Sequence, residues 1–129
     1  MNSLNNKNIV LIVTGGIAAY KALELVRLVR DQGGEIRVVM TLAAQQFVGP
    51  LSFQALSGNP VMSELLDADA EAGMGHIELA RWADLIAVVP ASADFIAKIA
   101  NGLADDLAST LYLASAAAVY VAPAMNQQM

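Results

Sequence analysis

A β-branched run that breaks at a glycine pair constrains this fold more than any other feature of the sequence. Residues 8–14 read NIVLIVT, which is typical of a buried strand, and the glycine pair at 15–16 ends the run. Apolar residues then recur at helical spacing up to the glycine pair at 33–34, and residues 35–41 form a second β-branched run. Two strands joined by one helix predict a right-handed βαβ unit with parallel strands.

After the second strand, helical and strand-like segments continue to alternate. We expect short helices at residues 42–49 and 51–57, a loop at 67–75, a helix at 76–82, a strand at 84–90, helices at 93–101 and 106–115, and a last strand at 119–122. This alternation predicts the α/β class, with a three-layer α/β/α, Rossmann-like (flavodoxin-like) open parallel sheet. The 129 residues suit one domain, so residues 1–129 are assigned to a single domain.

Composition limits the partners of the chain. Hydrophobic residues make up 57% of the sequence, more than so small a body buries internally, so we expect partner subunits to cover part of them. With 12 acidic and 7 basic residues the formal net charge is −5, which disfavours nucleic acid. The polar start does not resemble a secretion signal, and polar residues and Pro123 interrupt the uncharged stretch 107–125. We therefore expect a cytoplasmic protein without a membrane span.

Counts of cysteine and histidine exclude several chemistries. The sequence has no cysteine, which rules out disulfides, zinc–thiolate sites and a cysteine nucleophile within these residues. It has 1 histidine, too few for a multi-histidine metal site, and it lacks the nucleophile elbow of hydrolases. The acidic segment 67–78 matches a calcium loop only in part, because Ala72 stands where that loop requires glycine. We therefore predict a solvated loop there and no metal.

A ligand is expected beyond the carboxyl ends of the strands, as in other open α/β sheets. The glycine pair at 15–16 allows close approach of the backbone, and N–H groups that open the next helix can bind a phosphate, although a purely structural turn is the alternative. The motifs of dinucleotide-binding sites and P-loops are absent. A mononucleotide, with its phosphate on backbone N–H groups and the hydroxyls of Thr41 and Ser92, fits better.

Two polar residues are candidates for chemistry. His76 is the only histidine, and its side-chain type has the ordinary pKa nearest neutrality, so it is the natural acid–base candidate. A structural hydrogen bond is the alternative role for it. Asn126 follows the last strand at the expected mouth of the site, where its amide could hold a carboxylate or cap a helix. The residues alone leave these alternatives open.

Five segments, in order along the chain, carry a family resemblance. They are GGIAAYK at 15–21, T-x-x-A-x-x-F-x-x-P at 41–50, GHIELARWAD at 75–84, PASAD at 90–94 and PAMNQQM at 123–129. With these motifs the chain closely resembles the homo-oligomeric flavin-containing cysteine decarboxylases. Within that family it is most similar to phosphopantothenoylcysteine decarboxylases, the N-terminal flavoprotein domains of bifunctional bacterial proteins of coenzyme A biosynthesis. The resemblance covers essentially the whole chain.

The resemblance implies a lyase that uses FMN to decarboxylate 4′-phospho-N-pantothenoylcysteine to 4′-phosphopantetheine. In this chemistry the flavin oxidises the cysteine side of the substrate, which gives the departing carboxylate an electron sink. The likeness also implies that His76 is the catalytic acid–base residue, that Asn126 holds the substrate carboxylate, and that the family's trimers place FMN near subunit contacts. The FMN site that it implies comprises Gly15, Gly16, Ile17, Thr41, Pro90, Ala91, Ser92, Asp94 and Met125.

The sequence departs from the family pattern at two points. In the family a substrate-covering flap with a proton-donating cysteine follows the last motif, so we expect that flap beyond Met129. Asp94 stands where many relatives have asparagine. Two alternatives accompany the main interpretation: a non-catalytic FMN-binding or regulatory module of the same fold, and a flavin prenyltransferase-like protein, which His76 and the first and last motifs disfavour.

Overall fold

Four parallel β-strands form the centre of the computed structural model, which describes residues 3–63 and 75–129. The strands are β1 (Asn8–Val13), β2 (Glu35–Met40), β3 (Leu85–Ala91) and β4 (Ala118–Pro123). The helices of the described ranges are α1 (Lys21–Asp31), α2 (Pro50–Ser57), α3 (His76–Trp82), α4 (Ala93–Ala100) and α5 (Leu107–Ala114). Single 3₁₀ turns lie at Ile17–Tyr20 and Ala44–Gln46.

The sheet is buried on both faces at its centre. β1 lies between β2 and β3 in the order β2-β1-β3-β4, and all three of these strands pair in parallel. Leu11 and Val13 pack in one core with α1 and α2, whereas Val10 and Ile12 pack in a second core with α3, α4 and α5. Successive side chains point to opposite faces, so the unbroken apolar run of β1 reflects burial on both sides. The predicted three-layer α/β/α class is confirmed.

Local signals set most helix boundaries where the sequence predicts them. α1 ends before Gly33, which has a φ of 86°. Pro50 is the first residue of α2, and Gly58 ends that helix in the left-handed conformation with a φ of 73°. Asp106 caps α5 by accepting a hydrogen bond from the N–H of Ser109.

One predicted helix is wrong. Residues 42–49 do not form a helix beyond the single 3₁₀ turn at Ala44–Gln46. Pro50 disfavours helical geometry in the residue before it, and too few residues remain after β2 to offset the cost of helix nucleation. The loop predicted at 67–75 and the acidic pattern at 67–78 lie largely outside the described residues.

The strand order places a topological switch between β1 and β3. β2, the next strand in the sequence, pairs with β1 on one side, and β3 pairs with β1 on the other side. The segments that follow β1 and β3 therefore diverge, and the crevice between them at the carboxyl edge is where open α/β sheets bind ligands.

Apolar side chains remain exposed on the described surface. All six residues of β4 are exposed, and Ile17 and Leu51 are 81% and 74% exposed. Exposed apolar side chains of this kind are typical of a surface that a partner covers. The number of copies of the chain in an oligomer stays a prediction. Within residues 3–63 and 75–129 no helix has the length and apolar character needed to cross a bilayer, and the stretch 107–125 contains α5 and β4.

Candidate functional site

A cavity of about 810 Å³ opens at the carboxyl edge of the sheet, beside the topological switch. Its volume lies within the range of roughly 300–1,000 Å³ that small-molecule sites occupy. The segments after β1, β3 and β4 line it. We call it the larger cavity, because a smaller one described below adjoins it. It brings together seven residues predicted for the site: Gly15, Gly16, Ile17, Ser92, Asp94, Met125 and Asn126.

The glycine pair after β1 forms one wall of the larger cavity. A Cβ added to Gly15 would lie 2.7 Å from the Cβ of Ala43, so a larger residue would push the two segments apart. A Cβ on Gly16 would meet nothing within 4 Å. The N–H of Ala19 donates to the carbonyl of Gly16 at 3.0 Å and starts the 3₁₀ turn. The first N–H groups of such a turn have no intrahelical acceptor, which makes them available to an anion.

Thr14 joins the two strand ends on either side of the switch, and the sequence did not single it out. The residue is 1% exposed, and its Oγ1 donates to the carbonyl of Pro90 at 2.5 Å. The same oxygen accepts the N–H of Ser92 at 2.8 Å. One hydroxyl therefore fixes the segment after β3 relative to β1.

A smaller cavity of about 450 Å³ lies next to the larger one and shares Gly15, Ser92 and Asp94 with it. Thr41 lines this smaller cavity, and its Oγ1 accepts the N–H of Ala44 at 3.1 Å. The Oγ of Ser92 accepts the N–H of Phe95 at 3.1 Å and caps α4. Each hydroxyl acts as an acceptor in these contacts and keeps its own hydrogen for donation to a ligand.

Lys98 lies among three carboxylates in the smaller cavity. Its Nζ is 3.6 Å from Oδ2 of Asp94, 3.4 Å from Oδ1 of Asp105 and 3.7 Å from Oδ2 of Asp106. Partial burial, the largest influence, lowers the pKa of Lys98, but attraction to Asp106, the hydrogen bond with Asp105 and attraction to Asp94 together raise that pKa above its ordinary value. Lys98 is therefore positively charged at neutral pH.

Asn126 stands at the mouth of the larger cavity and shapes a turn there. Its Oδ1 accepts the N–H of Gln128 at 2.9 Å, and its carbonyl accepts the N–H of Met129 at 2.9 Å. The predicted alternative of a helix cap is replaced by this turn. The hydrogen bond from Gln128 fixes the orientation of the amide, and its Nδ2 group is the donor that a ligand can use.

Three predicted residues do not line either cavity. Pro90 and Ala91 are buried in β3, where their carbonyls accept the N–H groups of Thr14 and Ala124. His76 is the half-buried first residue of α3. The other end of α3 lies near the amino edge of the sheet, because the N–H of Asp84 donates to the carbonyl of Asn8. Within the described residues, neither of these two cavities is lined by both His76 and Asn126.

The larger cavity also has lining residues that were not predicted as site residues. These are Ala18, Tyr20, Lys21, Phe47, Ala93, Ala124 and Met129. Tyr20 and Lys21 belong to the first family motif, and Phe47 and Met129 belong to the second and last. These four residues could therefore have been predicted from the motifs. Neither Thr14 nor Lys98 had such a signal, because their roles depend on contacts across the sheet and between helices.

The two cavities have different chemical character. Exposed Ile17, Tyr20, Phe47 and Met125 give the larger cavity apolar and aromatic walls. The smaller cavity carries hydroxyls, the Lys98 ammonium group and the carboxylates of Asp94, Asp105 and Asp106. Together they suit a ligand with a flat ring system at one end and a phosphate at the other. Among residues 3–63 and 75–129 no group of three or more potential metal ligands occurs.

Comparison with known sequences agrees with this geometry. The model of the Flavoprotein family matches residues 1–129. The coenzyme A biosynthesis bifunctional protein CoaBC of Haemophilus influenzae is 60% identical over 126 residues, which cover 98% of this chain and 32% of that protein. The chain thus spans about a third of the length of the curated relatives that it matches.

Solved structures show the same architecture. The FMN-dependent cysteine decarboxylase SpaF is 32% identical, with a TM-score of 0.88, and the match covers 98% of this chain and 73% of that one. A PPC decarboxylase variant complexed with pantothenoylaminoethenethiol is 30% identical, with a TM-score of 0.75, and the match covers 94% and 68% of the two chains. These likenesses confirm the flavodoxin-like fold.

Proposed function

Because the chain belongs to the flavoprotein family, we propose that it binds FMN and decarboxylates 4′-phospho-N-pantothenoylcysteine to 4′-phosphopantetheine in coenzyme A biosynthesis. One observation carries the proposal: seven predicted site residues, from segments far apart in sequence, line a single cavity at the topological switch. The names of the matched relatives support the same chemistry, since they include a coenzyme A biosynthesis protein and a PPC decarboxylase.

The residues present fit FMN. Gly15 lines the smaller cavity together with Thr41 and Ser92, whose hydroxyls can donate hydrogen bonds to the phosphate. Ile17, Tyr20 and Met125 provide apolar surface for the ring system in the larger cavity. Bound there, FMN would accept two electrons from the substrate before carbon dioxide leaves and return them afterwards, so that the conversion to 4′-phosphopantetheine involves no net oxidation. The protein would provide position and proton transfer.

Asn126 is the residue that we propose for the substrate carboxylate. Its Nδ2 group can donate hydrogen bonds to the carboxylate, and the N–H of Gln128, which Oδ1 accepts, orients the amide. A neutral amide holds the carboxylate without the strong ionic attraction that an arginine would add. The departing carbon dioxide therefore has less attraction to overcome.

His76 is the residue that we propose as the acid–base group. Since His76 lines neither of the two cavities described above, the proposal includes a neighbouring copy or a further segment that brings histidine and substrate together. We therefore include a homotrimer in the proposal, with the exposed apolar surface as its support. A cytoplasmic location belongs to the same proposal.

The proposal is tested by mixing the FMN-loaded protein with 4′-phospho-N-pantothenoylcysteine in the absence of oxygen. We expect the visible absorbance of the flavin to decrease at least transiently as the substrate is oxidised, and carbon dioxide to be released. Phosphopantothenate, which lacks the cysteine group, is the matched control and should leave the absorbance unchanged. In a His76→Asn variant we expect carbon dioxide release to slow by about 100-fold or more, the usual contribution of one acid–base group.

Two results would contradict the proposed function. Failure of the protein to bind FMN would contradict the whole proposed function. Binding of FMN with neither a transient change of absorbance nor release of carbon dioxide on addition of substrate would favour the alternative of a non-catalytic binding module.

A further inference from the structure

The smaller cavity has an unusual charge balance for a site that receives a phosphate. Three carboxylates, those of Asp94, Asp105 and Asp106, lie within 3.7 Å of the single ammonium group of Lys98. The whole chain has a formal net charge of −5. Without Lys98 these carboxylates would repel a dianionic phosphate beside Thr41 and Ser92.

Lys98 is held in place to offset this charge. Its side chain is 23% exposed, and it reaches from α4 to the segment that precedes α5. Asp106 uses Oδ1 to cap α5, at 2.8 Å from the N–H of Ser109, and presents Oδ2 to Lys98. The ammonium group is the only cation among the described residues that line the smaller cavity.

We propose that Lys98 is a positioning residue for the phosphate of FMN, because its ammonium group offsets part of the charge of Asp94 and its neighbours and so lowers the repulsion that a phosphate next to Thr41 and Ser92 meets. The inference rests on the proposed function, which supplies the ligand. It treats Lys98 and Asp94 as a coupled pair: a cation at residue 98 is needed because residue 94 is an anion.

The test compares FMN with riboflavin, which has the same ring system but no phosphate. Flavin fluorescence titrations give the dissociation constants for the parent protein, Lys98→Gln, Lys98→Arg, Asp94→Asn and the double variant Lys98→Gln/Asp94→Asn. In Lys98→Gln we expect FMN binding to weaken roughly tenfold, the size of one charge interaction at a partly exposed site. Riboflavin binding should change less than about twofold, because no phosphate is present.

The other variants separate charge from structure. Lys98→Arg keeps the charge and should bind FMN within about threefold of the parent protein, and the double variant should recover most of the affinity that Lys98→Gln loses. Asp94 is 80% exposed, so Asp94→Asn alone should fold and should bind FMN more tightly with little effect on riboflavin. This variant keeps the inference testable if Lys98→Gln does not fold.

Several outcomes would overturn the inference. Equal losses of FMN and riboflavin affinity in Lys98→Gln would indicate a purely structural role. The same holds for a double variant that recovers no affinity, and for an Asp94→Asn variant that binds FMN more weakly. If the parent protein binds both flavins and no variant changes either affinity, only the inference fails. If the parent protein binds neither flavin, the proposed function fails with it.

Discussion

Thr14 is a small residue whose hydroxyl determines how the two strand ends meet at the site. It donates to the carbonyl of Pro90 and accepts the N–H of Ser92, and it is almost completely buried. Because Ser92 caps α4 and lines both cavities, the position of its hydroxyl depends on Thr14. The contact is an interaction between residues 78 positions apart in the sequence.

A Thr14→Val substitution should therefore lower both stability and flavin affinity. Valine has a similar shape but leaves the partly buried N–H of Ser92 without its acceptor, which costs about 1 kcal/mol in the free energy of unfolding. Urea denaturation measures that loss, and a flavin titration of the folded variant measures the affinity. Thr14→Ser retains the hydroxyl and is the matched control. A valine variant equal to the parent protein in both measurements would show that the bridge does not position Ser92.

At the scale of elements, α2 is attached to the sheet by one aromatic side chain. Phe53 is fully buried in the core that α1 and α2 share with the sheet, whereas Leu51 in the same helix is 74% exposed. The residues at the helix ends, Pro50 and Gly58, set its length but provide little burial.

We expect Phe53→Ala to lower the free energy of unfolding by about 3–5 kcal/mol, because it leaves a cavity in a packed core. Leu51→Ala, a change of similar kind on the exposed face, should alter the free energy by no more than about 0.5 kcal/mol. The midpoints of urea denaturation compare the two variants. Equal shifts for both would mean that α2 does not depend on Phe53 for its attachment.

The elements were predictable because their signals are local. β-branched runs, glycine pairs and helix caps act over a few residues, so the strands and most helices lie where the sequence predicts them. The helix predicted at 42–49 was wrong because the apolar spacing of so short a segment could not outweigh Pro50. The site was only partly predictable: the motifs predict residues of the larger cavity, but the contacts of Thr14 and Lys98 arise only when distant segments fold together.

On the scale of the whole molecule, large apolar side chains are exposed on the described surface. All residues of β4 are exposed, as are Ile17, Leu28 and Leu51. His76, the proposed acid–base residue, lines neither of the two cavities described above. Both observations have one explanation if copies of the chain associate around the flavin.

We therefore predict that copies of the chain associate, which would both cover the exposed apolar side chains and bring His76 to the flavin of a neighbouring copy. In gel filtration with inline mass and absorbance detection, we expect the flavin band to elute with a particle of about three times the 13.5 kDa of the chain. Burial of apolar surface drives the association, so it should persist in salt concentrations that screen surface charges. The flavin-free protein is the control. A flavin-loaded particle of one chain would contradict the trimer and would leave His76 without a path to the substrate through a neighbouring copy.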